Sequence, residues 1–138
     1  MHWADCRAQR VSEREVPQVI VFGITPSVEF HIGHPREILT AVMIHMACLD
    51  SGLESRYVFI VASMDPLRRV YDFLSPEYEK YIGVPLAYIP APSPDGTPST
   101  DSGSYADHFL NPFLESLREI GVFPEIEMNH EAYEDGRF

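Results

Sequence analysis

Two histidines flank a glycine within the segment FGITPSVEFHIGHPREILTA, which spans residues 22–41. The segment follows a run typical of a strand and precedes a pattern typical of a helix, so His31 and His34 fall at a strand-to-helix junction. Such a junction presents backbone N–H groups and the positive end of a helix dipole, and both favour phosphate. Gly33 lets a ligand approach the backbone, and Pro35 suits a first helical turn. The pattern predicts two imidazole rings that bind phosphate oxygens and stabilise charge developing there.

The histidine pair is also compatible with a purely structural role or with a zinc site. In the structural role, His31 would end a strand and His34 would begin an exposed helix, with no ligand bound to either. A zinc site is less favoured because no third ligand is evident near the pair. Cys6 and Cys48 lie far apart in the sequence, so we expect two reduced thiols, with Cys48 buried, and neither a metal site nor a disulfide framework.

The elements around the junction form a strand–helix–strand unit. Gln18–Phe22 and Tyr57–Val61 are β-branched runs typical of strands buried on both faces. Between them, Arg36–Cys48 carries apolar residues at helical spacing, and Gly52 lies where a helix C-cap belongs. This order predicts a βαβ unit with a parallel strand pair, in which ligands bind beyond the carboxyl ends of the strands.

The remaining segments are predicted from the same signals. They are a helix over His2–Glu15, short helices over Asp65–Phe73 and Pro76–Tyr81, a surface loop over Pro90–Gly103, a helix over Tyr105–Ile120 that kinks or restarts at Pro112, a third strand over Val122–Met128 and a short acidic helix at the end. The sequence therefore predicts one α/β domain over residues 1–138, with about three parallel strands and flanking helices.

Composition narrows the classes of function. The 138 residues carry a formal net charge of −11, which disfavours nucleic-acid binding by this chain alone. No run approaches the ~20 apolar residues that a membrane-spanning helix needs, and the polar start is unlike a signal peptide. We therefore expect a cytoplasmic protein that does not bind membranes.

Six segments, in order along the chain, resemble the class I type of lysyl-tRNA synthetase. HIGH at His31–His34, preceded by a Pro-Ser turn, is similar to the ATP-binding signature of class I aminoacyl-tRNA synthetases. The six segments are HWAD at residues 2–5, GITPS at 23–27, HIGHPREILTA at 31–41, YIGVPLAYIPAP at 81–92, SYADHF at 104–109 and the closing YEDGRF.

This resemblance implies a Rossmann-like nucleotide-binding domain, with the chain as the N-terminal half of a synthetase catalytic domain. It implies an ATP-dependent ligase that forms lysyl-adenylate and passes the lysyl group to tRNA, with ATP and lysine as substrates and Mg²⁺ as cofactor. His31 and His34 would be the catalytic residues. The other implied residues are Pro26, Ser27 and Gly33 for ATP, with His31 and His34, and Gly23, Thr25, Tyr105 and His108 for the amino acid.

Two of the departures from the family bear most directly on substrate and activity. Ala62 and Ser63 replace an acidic pair that the family carries after the second strand, which removes negative charge near a cationic substrate. Lys80 is the single lysine in the 138 residues, so no second signature of the KMSKS type is present to neutralise the leaving pyrophosphate. We expect little or no aminoacylation by this chain alone, with tRNA engaged only through further parts or a partner, and a homodimer or complementing chain covering the sheet edge.

Two rival functions remain. A small nucleotidyltransferase with an H-x-G-H loop is less favoured, because the proline in those enzymes lies two residues before the first histidine, whereas Pro26 lies five before His31. The second rival is a nucleotide-binding or interaction module that kept the fold without the ligase chemistry.

Overall fold

A parallel sheet of three strands forms the centre of the protein. The computed structural model describes residues 2–13, 16–31 and 33–137. In chain order the main elements are α1 (Trp3–Ser12), β1 (Gln18–Ile24), α2 (Gly33–Asp50), β2 (Ser55–Val61), β3 (Pro90–Pro92), β4 (Pro98–Ser104), α3 (Tyr105–Glu119), β5 (Glu125–Met128) and α4 (Asn129–Glu134). The sheet order is β1-β2-β5, with both pairings parallel. The predicted α/β architecture of about three parallel strands is confirmed.

The β1-α2-β2 unit agrees with its sequence signals. β1 and β2 pair in register from Gln18 opposite Ser55 to Ile24 opposite Val61. Apolar side chains of both strands pack against α2 and α3 in the main core, where Phe22 and Phe59 stack with 4.9 Å between ring centroids. Gly52 ends the turn after α2 with a φ of 77°, which a glycine adopts without strain.

The first helix packs on α2 through small side chains. His2 Nδ1 accepts a hydrogen bond from the Ala4 N–H, and Asp5 accepts one from the His2 N–H, which forms a capping box. Ala4 and Ala8 are buried against Ala47 and Cys48 of α2. Cys48 is buried as predicted, and burial raises the pKa of its thiol. Of the helix predicted over His2–Glu15, Arg14 and Glu15 lie outside the described residues.

The helix predicted over Asp65–Phe73 is wrong. The Leu67 N–H donates to the Val84 carbonyl at 3.0 Å, and the Leu67 carbonyl accepts from the Gly83 N–H at 2.9 Å. Pro66 and Pro85 form an isolated antiparallel bridge beside these bonds. These long-range hydrogen bonds thus use the N–H and carbonyl groups of Leu67 that a helix would need for its own hydrogen bonds. The short helix predicted over Pro76–Tyr81 is present as a 3₁₀ helix, and a second 3₁₀ turn spans Leu86–Tyr88.

The surface loop predicted over Pro90–Gly103 is also wrong, because this segment forms the β3–β4 hairpin. Ala91 pairs with Ser99 and Pro92 with Pro98 in antiparallel register. The turn between the strands is held by Asp95, whose carboxylate accepts from the Thr97 N–H and hydroxyl. The prolines and the glycine correctly indicated a turn. In a sheet of two strands, however, both strands are edge strands, which tolerate proline, so the residues on either side of the turn still pair.

α3 runs without interruption from Tyr105 to Glu119, so the restart predicted at Pro112 is wrong, and the alternative of a kink there stays a prediction. Ser104 caps the helix by accepting a hydrogen bond from the Asp107 N–H at 3.1 Å. Proline in a helix interior usually costs about 3 kcal/mol. Here the buried stripe of α3 joins both large core clusters, and its packing outweighs that cost. The stripe comprises Tyr105, Ala106, Phe109, Leu110, Phe113 and Leu117.

Candidate functional site

The candidate site lies at the carboxyl ends of β1 and β2, where ligands bind in parallel α/β sheets. The loop over residues 25–31 connects β1 to α2 and crosses this edge. Its own backbone folds it tightly, because the Ser27 N–H donates to the Thr25 carbonyl at 2.9 Å. Pro26 is fully buried beneath the loop. The loop therefore has a rigid base below the two histidines.

The structure brings His31 and His34 together, with 4.2 Å between ring centroids. His31 Nδ1 accepts a hydrogen bond from the Gly33 N–H at 3.1 Å, and His34 Nδ1 accepts one from the His31 N–H at the same distance. A neutral imidazole that accepts at Nδ1 carries its proton on Nε2. The contact with the Gly33 N–H leaves His31 with an Nε2–H donor, whereas His34 Nδ1 also lies 3.3 Å from the His31 carbonyl oxygen, so the contacts of His34 fit either tautomer.

The free backbone N–H groups predicted at the junction are not all free. The Gly33 N–H is bound to the His31 ring, and the His34 N–H donates to the His31 carbonyl at 2.9 Å. His31 thus caps the start of α2 with its own side chain and carbonyl. These two N–H groups are therefore already used within the loop.

Gly33 has a steric role in this arrangement. A Cβ placed on Gly33 would lie 2.8 Å from His31 Cε1 and 3.0 Å from His31 Nδ1. A side chain there would require the exposed His31 ring to move. The glycine between the histidines therefore allows the close approach of the His31 ring to the start of α2.

Phe30 anchors the loop on α3. Its ring stacks on Phe113, with centroids 3.9 Å apart and planes 7° from parallel. The ring of His34 meets Phe30 edge-on at 5.0 Å between centroids. The position of His34 is therefore coupled to the main core through two aromatic contacts.

Thr25, Ser27 and Asp65 line a cavity of about 200 Å³ between the ends of β1 and β2, together with Leu67, Arg68 and Tyr71. The Thr25 hydroxyl donates to Asp65 Oδ2 at 2.5 Å. Gly23 belongs to β1 and pairs with Ile60 of β2, and it lies two residues before Thr25 in the chain. Gly23 and Thr25 were predicted from the family resemblance. Asp65 was not predicted as a site residue, although an acidic residue just after a buried strand is a usable sequence signal for a site at that end of the strand.

Tyr105 and His108 occupy different environments on α3. Tyr105 is fully buried, its hydroxyl donates to the Ser27 carbonyl at 2.8 Å, and burial raises the pKa of that hydroxyl. It supports the loop from below. His108 is exposed and lines two cavities of about 490 and 480 Å³, both of which also include Glu29 and Phe109. The larger of these cavities reaches Phe30, which lies beside the histidine pair.

A second polar network at this sheet edge was not predicted. Ser63 is buried at the end of β2, and its hydroxyl donates to Asn129 Oδ1 at 2.9 Å and lies 2.7 Å from His130 Nδ1. The Met64 N–H donates to the same Asn129 oxygen. These bonds join the end of β2 to the start of α4. Ser63 thus has a structural role here.

Metal-binding clusters and membrane-spanning helices are both absent from the described residues. Within residues 2–13, 16–31 and 33–137, no group of three or more histidine, cysteine, aspartate or glutamate side chains could hold a metal ion. Across the same ranges, none of the helices has the length and apolar character needed to cross a bilayer.

A parallel α/β sheet with a histidine-glycine-histidine loop at the end of its first strand defines a Rossmann-like domain. Comparison with known proteins gives the family. The family model described as tRNA synthetases class I (K) matches residues 1–138, so the chain belongs to that family.

Curated relatives agree with this assignment. The chain is 44% identical over 138 residues to the lysine–tRNA ligase of Archaeoglobus fulgidus, covering 100% of this chain and 27% of that protein. It is 40% identical over 138 residues to lysine–tRNA ligase 1 of Methanosarcina acetivorans, covering 100% of this chain and 25% of that protein. It is also 44% identical over 140 residues to the lysine–tRNA ligase of Methanocaldococcus jannaschii, covering 100% of this chain and 25% of that protein. The chain therefore spans about a quarter of the length of these relatives.

Proposed function

We propose that this chain provides the ATP-binding and amino-acid-binding part of a lysine–tRNA ligase, in which lysine attacks the α-phosphate of ATP to form lysyl-adenylate. The observation that carries the proposal is the pairing of the His31 and His34 rings, 4.2 Å apart between centroids, in the loop after β1. In-line displacement at phosphorus needs donors positioned where charge develops. The names of the curated relatives support lysine as the amino acid.

The proposed roles divide along the loop. His31 and His34 bind and stabilise the triphosphate, Gly33 keeps the rings in place, and Pro26 and Ser27 form the base of the ATP site. Mg²⁺ enters with the nucleotide as its phosphate complex. On the amino-acid side the proposed residues are Gly23, Thr25, Tyr105 and His108, with Tyr105 acting through its bond to the Ser27 carbonyl. We place this activity in the cytoplasm.

A second candidate function is a nucleotide-binding module without ligase chemistry. Lys80, the single lysine of the chain, lies in the 3₁₀ helix Pro76–Tyr81 with its ammonium 5.0 Å from the Tyr81 ring centroid. It is not part of the His31–His34 loop. Leaving-group stabilisation by lysine would therefore have to come from outside these 138 residues, and this favours the second candidate for the chain by itself.

ATP–pyrophosphate exchange on the purified chain, with each amino acid in turn, separates the two candidates. Lysine-dependent exchange would support the ligase function. ATP binding without exchange would support the binding module, and the absence of both would contradict both candidates. We expect little or no tRNA charging by the 138 residues alone, and steady charging would show that no second signature is needed.

We also propose that a second copy or a complementing chain covers the free edge of β1. β1 pairs only with β2 in the described sheet, and Val19 and Val21, which project from the same face of this strand, are 56% and 53% exposed. An unpaired strand edge and an exposed apolar face beside it both favour association. Analytical ultracentrifugation should show a sedimentation coefficient that rises with concentration or on addition of the complementing chain. A monomer under all of these conditions would contradict the proposal.

A further inference from the structure

The outward side of α2 is apolar and exposed in the described chain. Residues 38–49 include no aspartate, glutamate, lysine or arginine. One side of this helix is buried in the core clusters that it forms with the sheet and with α1. On another side, Leu39, Met43 and Met46 are 42%, 38% and 57% exposed. Apolar residues on both the buried and the exposed side are typical of a helix that a further element covers.

The exposed residues have the spacing of a helix–helix seam. Leu39, Met43 and Met46 are separated by four and then three residues, so they lie along one stripe of α2. Arg36 continues this stripe three residues before Leu39, and Asp50 continues it four residues after Met46. The stripe therefore has an apolar centre, a positive charge at one end and a negative charge at the other.

The two charges at the ends of the stripe are unfavourably placed in a single copy. Arg36 lies near the start of α2, where the helix dipole is positive, and Asp50 is the last residue of α2, where the dipole is negative. Both residues are exposed, and neither belongs to an ion pair among the described residues. A partner that places an opposite charge beside each of them would offset this arrangement.

We propose that α2 packs against α2 of a second copy of this chain, in antiparallel orientation, with the two Met43 side chains at the twofold axis. Met43 lies seven residues from both Arg36 and Asp50. An antiparallel pair centred on Met43 therefore brings Arg36 of each copy beside Asp50 of the other, whereas a parallel pair would bring like charges together. A contact of this kind uses the same surface on both copies and closes as a dimer.

This contact is separate from the free edge of β1 and does not depend on ligase chemistry. The formal net charge of −11 on each copy opposes association. One pair of helices also buries less than a standard interface of about 1,600 Å². The dimer should therefore be weak and should dissociate on dilution.

Sedimentation equilibrium of the purified chain, from about 1 μM to 1 mM, measures this dimer. Arg36→Asp and Asp50→Arg each bring like charges together, so each should weaken dimerisation by about 10-fold. The double variant Arg36→Asp, Asp50→Arg restores both opposite-charge contacts and should dimerise as the unmodified chain does. Met46→Glu places a charge in the apolar centre and should abolish dimerisation. Ile120→Glu is the matched control, since Ile120 is 58% exposed at the end of α3.

Cysteine cross-linking tests the antiparallel geometry and separates this contact from association through β1. In a Cys6→Ser background, which removes the exposed native thiol, Met43→Cys should form a disulfide-linked dimer on oxidation and Ile120→Cys should not. Adding Val21→Glu should leave the Met43→Cys cross-link unchanged, because Val21 belongs to β1.

Four outcomes would overturn this proposal. They are a monomer at all concentrations, a dimer that Met46→Glu does not weaken, no recovery in the double charge variant, and association only with a complementing chain. A dimer lost in Val21→Glu but kept in Met46→Glu would place the contact on β1 instead. If Met46→Glu does not fold by circular dichroism, the exposed charge variants still decide the question.

Discussion

The double variant His31→Ala, His34→Ala should bind ATP about 100-fold more weakly or worse, because each lost hydrogen bond to a charged phosphate is worth about 1.5–3 kcal/mol. The two rings lie 4.2 Å apart between centroids, so we expect both to contact the same ligand. Isothermal titration with ATP measures the effect. Circular dichroism should show that the variant stays folded, since His31 is exposed and His34 only half-buried.

The control for this variant is His2→Ala. His2 caps α1 by accepting from a backbone N–H two residues later, as His31 does at the start of α2. Losing such a cap costs about 1 kcal/mol of stability. His2→Ala should therefore show a similar loss of stability with full ATP affinity. Unchanged ATP affinity in the double variant, or an equal loss in His2→Ala, would contradict the assignment of the histidines.

Phe113→Ala should lower the free energy of unfolding by about 3–5 kcal/mol, the usual cost of removing a buried phenylalanine ring. Phe113 is 6% exposed, stacks on Phe30 of the loop and meets Phe59 of β2 edge-on at 6.2 Å between centroids. Its removal leaves a cavity where α3, the sheet and the loop join. Urea denaturation followed by circular dichroism measures the change.

Phe123→Ala is the matched control, because Phe123 is 67% exposed and should change stability by no more than about 0.5 kcal/mol. Phe113→Leu fills part of the cavity and should fall between the two, which keeps the comparison informative if Phe113→Ala does not fold. Equal losses for Phe113→Ala and Phe123→Ala would show that the stacked rings do not anchor the loop.

The strand–helix–strand unit could be predicted because its signals are local. The β-branched runs of β1 and β2, the apolar spacing of α2 and the glycine with positive φ at Gly52 each act within a few residues. The structure extends β1 to Ile24 and begins α2 at Gly33, so the predicted elements were short by two or three residues at the site.

The segment between β2 and α3 could not be predicted for the opposite reason. Leu67, Val70 and Leu74 have helical spacing, but they face the second core cluster from an irregular backbone that pairs with residues 83–84. Long-range backbone bonds leave no periodic signal in a sequence. The β3–β4 hairpin was missed similarly, because strands of proline and serine have the composition of a loop.

The candidate site was predictable in part. The spacing of His31 and His34 pointed to a paired site, and the structure places the rings in contact. Sequence reasoning could not foresee that His31 would use the Gly33 N–H for its own cap, since this depends on a side-chain rotamer. The position of Asp65 after a buried strand was a usable signal, but its contact with Thr25 could not be foreseen, because the irregular turn after β2 brings the two side chains together.

Titration of ATP into the unmodified chain, with the histidine double variant beside it, tests the central claim most directly. We expect saturable binding at one site per chain that is weakened about 100-fold or more in the double variant. Absence of ATP binding by the folded, unmodified chain would contradict the claim that His31 and His34 form a nucleotide site.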